Sequence, residues 1–322
     1  MKDRVADIKA SFSSNLTDLW TLVESMLEEN QSLRRSLDEL TAEKGVATSR
    51  LQDLVKERNA SWWSGDPEKS HSFMGYDIPI ELMLMTGGGP ASFDDVSAFH
   101  ISNLTKWIGL ESDYSVVEIG CGIGRDAIPL TKILTKGNYT GVDIIGRSID
   151  WCSTNITPAN PKFKFYHFDV DDELHNPTGT TNAVDIRVPV EDGTVDRIFL
   201  FSVFTHLLRP EIEHYLREFR RMLKPDGLVY ATTFIYDDPI LKSARETALT
   251  PFDLRFEHEI TPGCRINDPA HPLGAVAFTR EIWDGMVAET GMEYAKPLLK
   301  GGWSGFYQNA DDGQDAVILR KV

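Results

Sequence analysis

The chain has 322 residues, 41% of them hydrophobic and 25% charged, with a formal net charge of -16. Such a composition supports a buried core and excludes global disorder, while the acidity argues against the phosphate backbone and anionic membranes, so no nucleic acid is expected as a partner. Cys121, Cys152 and Cys264 are too far apart in sequence for a metal-ligand pattern, and no apolar run approaches the ~20 residues that span a bilayer. A reducing cytoplasm and no membrane insertion are the expectations.

Residues 1–60 read as an N-terminal coiled-coil helix. From Val5 to about Val55 there is no proline and a single glycine, Gly45, and apolar residues recur at spacings of three and four. Asn30 at an a-like position would fix the register, so a homo-oligomer formed through this helix is expected, packing on the chain's own globular domain being the alternative. Residues 61–110 read as a linker and helical lead-in, opened by Gly65 and Pro67 and divided by Thr86-Gly87-Gly88-Gly89-Pro90.

From 111 to 322 strands alternate with helices, which predicts a Rossmann-like α/β domain with a seven-stranded, mostly parallel sheet and helices on both faces. Strands are expected at 115–119, 139–142, 164–168, 195–201, 227–234, 293–299 and 315–320, the last running antiparallel, and helices at about 125–134, 148–155, 210–223 and 279–290. Arg217, Arg220, Arg221 and Lys224 read as the solvated face of the third of these helices. Residues 237–275 read as neither strand nor helix and are expected to form an insertion over the ligand cleft.

The densest motif is Val116-Val117-Glu118-Ile119-Gly120-Cys121-Gly122-Ile123-Gly124-Arg125-Asp126, an apolar strand entering a glycine-rich turn and then a helix. Glycines there let the backbone approach a nucleotide. The third glycine falls two residues after the second, where dinucleotide enzymes have three, which favours a methyl donor over NAD. Glu118 agrees, because a carboxylate suits a cationic amino group and repels a pyrophosphate. Asp143, followed by Ile144, ends the next strand about twenty residues on, where it can accept from both ribose hydroxyls. Asp169 and Val170 end the third strand, the first to accept from the adenine amino group and the second to pack on its ring. Cys121, Arg125 and Phe201 complete the expected cofactor site.

Glu118-x-Gly120-x-Gly122-x-Gly124, Asp143, Asp169 and the turn Leu223-Lys224-Pro225-Asp226-Gly227 resemble class I S-adenosylmethionine-dependent methyltransferases, over roughly 76–322. Gly124-Arg125-Asp126-Ala127, Ser148-Ile149-Asp150-Trp151-Cys152, the 201–207 segment and Gln314-Asp315 look like a bacterial subgroup often associated with glycan and polysaccharide modification. The resemblance implies S-adenosyl-L-methionine as cofactor and a sugar or glycan hydroxyl as acceptor. N- or C-methylation of a small metabolite, or a coiled-coil assembly protein that only binds cofactor, are the other readings.

Ligands in open α/β sheets lie at the carboxyl ends of strands, which selects Ser202, Phe204, Thr205 and His206 after the fourth strand. His206 is the candidate general base, since a neutral imidazole can take a hydroxyl proton near neutral pH; capping the next helix is its structural alternative. Trp303, Tyr307 and Gln314, near the start of the last strand, suit a sugar site of flat rings and polar groups, or else pack the core. Tyr76 is expected on the opposite wall. His258 is a weaker candidate base. Asp169, Asp171, Asp172, His167 and His175 invite a metal, but turns favour Asp for conformational reasons, and no metal is expected.

Overall fold

The computed structural model describes residues 35–36, 69–87, 89–172, 175–247 and 253–322. The chain divides into two units, Met1–Gly65 and Asp66–Val322. The expected coiled coil, its oligomer and the break at 61–67 lie outside the described residues.

The second unit opens with an unanticipated hairpin, β1 (Ser70–Phe73) and β2 (Tyr76–Pro79). Its two-residue turn has positive φ at both Met74 (50°) and Gly75 (89°), the backbone that matches the twist of paired strands. Helix α1 (Ile80–Leu84) and helix α2 (Pro90–Trp107) follow. Pro90 suits the first position of α2, where its missing N–H would be unpaired anyway. The buried face of α2 runs Phe93, Ser97, His100 and Leu104 at helical spacing.

The alternating region then gives β3 (Ser115–Ile119), α3 (Ala127–Ile133), β4 (Asn138–Asp143), α4 (Gly146–Asn155), β5 (Phe163–His167), β6 (Val195–Leu200), α5 (Arg209–Met222) and β7 (Leu223–Thr233). Residues 237–275, expected to be neither strand nor helix, carry α6 (Asp238–Thr247), β9 (His258–Thr261) and β10 (Cys264–Ile266), and are flanked by β8 (Ile235–Tyr236) and β11 (Val276–Thr279). These strands form a separate four-stranded sheet in the order β8-β11-β10-β9. They are two to four residues long and β9 is exposed throughout, so no apolar alternation announces them. The chain closes with α7 (Arg280–Glu289), β12 (Met292–Tyr294) and β13 (Asp315–Lys321).

The main sheet has seven strands in the order β12-β13-β7-β6-β3-β4-β5, with β13 antiparallel to β7 and the pairs from β7 to β5 parallel. The strand expected at 293–299 stops early because Pro297 has no N–H for the ladder; pairing resumes at an isolated bridge between Leu299 and Ala316. Alternate residues feed two cores: Val117 and Ile198 pack with Phe219 and Trp283, whereas Val116 and Phe199 pack with Leu104 and Ile128. The strand order reverses between β3 and β6, and the crevice at their carboxyl ends is where such sheets bind ligands.

Candidate cofactor and acceptor site

Strand β3 delivers the chain into the glycine turn, where Gly120, Gly122 and Gly124 have φ of 75°, 50° and 77°. A Cβ on Gly120 would lie 2.5 Å from Val203 Cγ2 and one on Gly122 2.7 Å from Thr86 Cγ2, so the turn is clasped between the β6 loop and the α1–α2 loop. Gly124 backs onto Ile156 and Cys152, and the buried Cys121 thiol donates to the Gly122 carbonyl at 3.9 Å. At the end of β4 the Asp143 carboxylate accepts from Gly122 N at 2.6 Å and from Ile145 N at 2.8 Å. Burial raises its pKa from the ordinary aspartate value, against those two donors.

A cavity of about 300 Å³ opens above this turn. Of the expected residues, Gly120, Gly122, Arg125, Asp143, Ile144, Val170, Phe201 and His206 line it. Arg125 donates through Nη1 to the Thr86 carbonyl at 3.3 Å, and its Nε is buried without a hydrogen-bond partner. Next to Phe201, Ser202 is held at φ 56° with its amide on Thr232 Oγ1, 2.7 Å away.

His206 lies in a short 3-10 turn, Phe204–His206, and its ring is fixed from the insertion: Nδ1 donates to the Leu273 carbonyl at 2.9 Å, leaving Nε2 as the acceptor nitrogen of the neutral ring. Burial lowers its pKa below the usual histidine value, which keeps it neutral at pH 7. Beside it stands His175, the ring centroids 6.1 Å apart, with His175 Nδ1 3.1 Å from Asp172 Oδ1.

Other expected site residues lie elsewhere. Glu118 is buried behind the turn, where its carboxylate accepts from the Tyr139 hydroxyl, and burial pushes its pKa well above the carboxylate range. It is not among the residues that line the cavity. Asp169 turns away from the cavity to accept from Asn176 at 3.0 Å and Thr180 at 2.7 Å, bonds that lower its pKa. Thr205 is buried with an unpartnered hydroxyl, and Tyr76 packs on Trp151 and accepts from Asn160.

The expected sugar wall is also rearranged. Trp303 is 4% exposed, in a cluster with Phe234 and Phe256, and donates to Asp315 Oδ2 at 2.8 Å. Tyr307 packs on the same cluster. Gln314 reaches the cavity rim indirectly, donating to Ser202 Oγ at 2.8 Å. His258 lies on the exposed strand β9, and among the described residues no group of three His, Cys, Asp or Glu side chains is placed to hold a metal ion.

Sequence reasoning missed Thr86, His100, His175 and Tyr215 on the cavity wall. Thr86 carried a signal as the first residue of the glycine run at 86–90, and His175 was singled out only as part of the cluster that invites a metal. His100 reads as one more position on an amphipathic helix, and nothing local ties it to a turn more than twenty residues on.

Residues 116–227 match the family model for the methyltransferase domain. The chain therefore carries a methyltransferase domain over these residues, and S-adenosylmethionine is that domain's cofactor. The chain is 27% identical over 162 residues to a sterol 24-C-methyltransferase of Gibberella zeae, covering 48% of this chain and 37% of that protein. It is 27% identical over 128 residues to a tRNA N(3)-cytidine methyltransferase of Homo sapiens, covering 38% of this chain and 30% of that one. The chain thus spans roughly a third of the length of these curated relatives. A SAM-dependent methyltransferase structure from Aquifex aeolicus aligns at 15% identity with a TM-score of 0.44, covering 73% of this chain and 100% of that chain. Among the described residues no helix is long and apolar enough to cross a membrane.

Proposed function

We propose that the whole protein transfers the methyl group of S-adenosylmethionine to a hydroxyl oxygen, with a sugar or glycan as the acceptor class. The observation that carries this reading is one cavity that joins the glycine turn, Asp143 and three imidazoles, His100, His175 and His206, each with Nδ1 already beside a partner. Methylating a hydroxyl needs such a base, because the oxygen must shed its proton as the new bond forms.

The residues present fit the cofactor. Asp143 spends one lone pair of each oxygen on backbone donors and keeps others for ribose hydroxyls. Val170 offers an apolar face to adenine, and the unpartnered Arg125 Nε is a donor for the amino-acid carboxylate. When bound, S-adenosylmethionine supplies an electrophilic methyl group on a sulfonium. The chain's part is to align the acceptor, exclude water and remove its proton.

With Trp303 in the core, the sugar reading draws on Ser202 and Gln314 at the rim and on the resemblance to glycan-modifying proteins. Because a sterol and a tRNA methyltransferase stand among the relatives, net charge alone does not exclude nucleic acid, and C- or N-methylation is the second reading. Assembly through residues 1–60 belongs to the same proposal and is tested by sedimentation of the full chain.

The test is calorimetric titration with S-adenosylmethionine and with NAD, followed by S-adenosylhomocysteine release in the presence of methyl glycosides, a sterol or tRNA. Binding of S-adenosylmethionine alone and turnover on glycosides are expected. Binding of neither nucleotide removes the enzyme reading, and turnover confined to sterol or tRNA replaces the sugar.

A further inference from the structure

We infer that His100, held by Asp126, is the base that takes the acceptor's proton, an assignment that rests on the methyl-transfer reading and deepens it. His100 Nδ1 lies 2.7 Å from Asp126 Oδ2, and the two residues are 8% and 2% exposed. A carboxylate oxygen accepts, so Nδ1 is the donor in this pair and Nε2 is the ring nitrogen left for the acceptor. The ring also lies flat on Phe201, centroids 3.5 Å apart and planes within 4°. Both its tautomer and its plane are thereby fixed, at the first residue beyond β6, and both rings line the cavity.

His100 and His206 have different neighbours on the cavity wall. His206 stands beside His175, which is paired with Asp172, whereas His100 stacks on Phe201 and is held by Asp126, two residues beyond Gly124 of the glycine turn. With ribose on Asp143 and adenine on Val170, the sulfonium and amino-acid end would be held beside the glycine turn. His100, tied to the residue two positions beyond Gly124, is assigned to that end and His206 to the adenine end.

A purely structural role for the pair would be to pin α2 to the turn. Ser97 already does so, donating to the Arg125 carbonyl at 2.8 Å. Asp126 Oδ1, moreover, is buried with no partner, a costly way to fasten a helix but a useful one for stabilising an imidazolium. As the acceptor oxygen bonds to the methyl carbon, the carbon–sulfur bond breaks and sulfur keeps its electron pair. The acceptor's proton passes to Nε2 and afterwards to solvent.

The experiment is diethyl pyrocarbonate footprinting of the full chain, mapped by mass spectrometry, with adenosine or with sinefungin, an analogue carrying an amine where the methyl group would be. Sinefungin is expected to shield His100 and His206, and adenosine to shield His206 while leaving His100 reactive. Shielding of His100 by adenosine, or its reactivity under bound sinefungin, overturns the assignment. In the second arm, His100→Gln is expected to lower S-adenosylhomocysteine release with methyl glycosides or catechol by about 10²- to 10⁴-fold, with sinefungin affinity within about threefold. Asp126→Asn, a positioning change, should alter the acid side of the kcat profile. Unchanged turnover and pH profile in His100→Gln also refute the base. If calorimetry detects neither ligand, the methyltransferase reading fails with it; sinefungin binding with an unshielded His100 sinks this inference alone.

Discussion

Replacing Asp143 by alanine removes two hydrogen bonds at once, from Gly122 N at 2.6 Å and Ile145 N at 2.8 Å, and leaves both donors in a buried turn. Each unsatisfied buried donor costs about 1–3 kcal/mol, so the fold should lose about 2–6 kcal/mol, trimmed by relief of the burial that raises the Asp143 pKa. Asparagine presents one oxygen and one NH₂, so it can satisfy one donor and must oppose the other, placing Asp143→Asn between wild type and Asp143→Ala. Two charge-assisted bonds to ribose, at about 1.5 kcal/mol or more each, would also vanish, weakening cofactor affinity roughly a hundredfold or more. Urea unfolding and calorimetric titration with S-adenosylmethionine measure the two losses separately. An alanine variant within about 0.5 kcal/mol of wild type and with unchanged affinity would falsify both the structural and the ribose arguments.

Gly120→Ala forces a left-handed backbone on an L-residue and drives a Cβ to 2.5 Å from Val203 Cγ2, so a loss of about 2 kcal/mol or more is expected in urea melts. Adding Val203→Ala should recover only the steric part, and full recovery would show that the backbone conformation costs nothing. Trp303→Ala is expected to cost about 3–5 kcal/mol yet change cofactor affinity by less than about threefold, since the indole is core; a stable variant that loses glycoside turnover would restore it to the acceptor wall. Burial lowers the His206 pKa from 6.5, so its contribution to stability is complete above that value and fades as pH falls through the folded pKa. His206→Gln should therefore flatten the decline of the urea midpoint from about pH 7.5 to about pH 5.5, and an unaltered slope would exclude this source of acid sensitivity.

What could be read before the structure was what local chemistry dictates. The run 115–124 declares a strand and a ligand turn because buried parallel strands are apolar and positive φ demands glycine. Asp143 and Val170 follow from the order of strand ends. The hairpin at 70–79 stayed hidden because Met74, rather than Asn or Asp, occupies its positive-φ corner. Glu118 was legible as a carboxylate beside the turn, but its commitment to Tyr139 depends on β3 and β4 lying side by side. The same holds for Trp303, whose partners Phe234 and Phe256 come from a segment with no periodic signature. His100 and Asp126 are joined only by the approach of α2 to the glycine turn.

The Leu273 carbonyl that holds His206 belongs to the segment carrying the small second sheet. That segment leaves the main sheet after β7 and rejoins it at β12, and its outer strands β8 and β11 pair in parallel within the second sheet, so its length can change without displacing the seven-stranded scaffold. Drift in it is nevertheless not silent. Any remodelling that shifts residue 273 frees the His206 ring to rotate and exchange its tautomer, so an inherited or engineered swap of this module must carry a replacement acceptor for Nδ1 if the chamber is to keep its orientation.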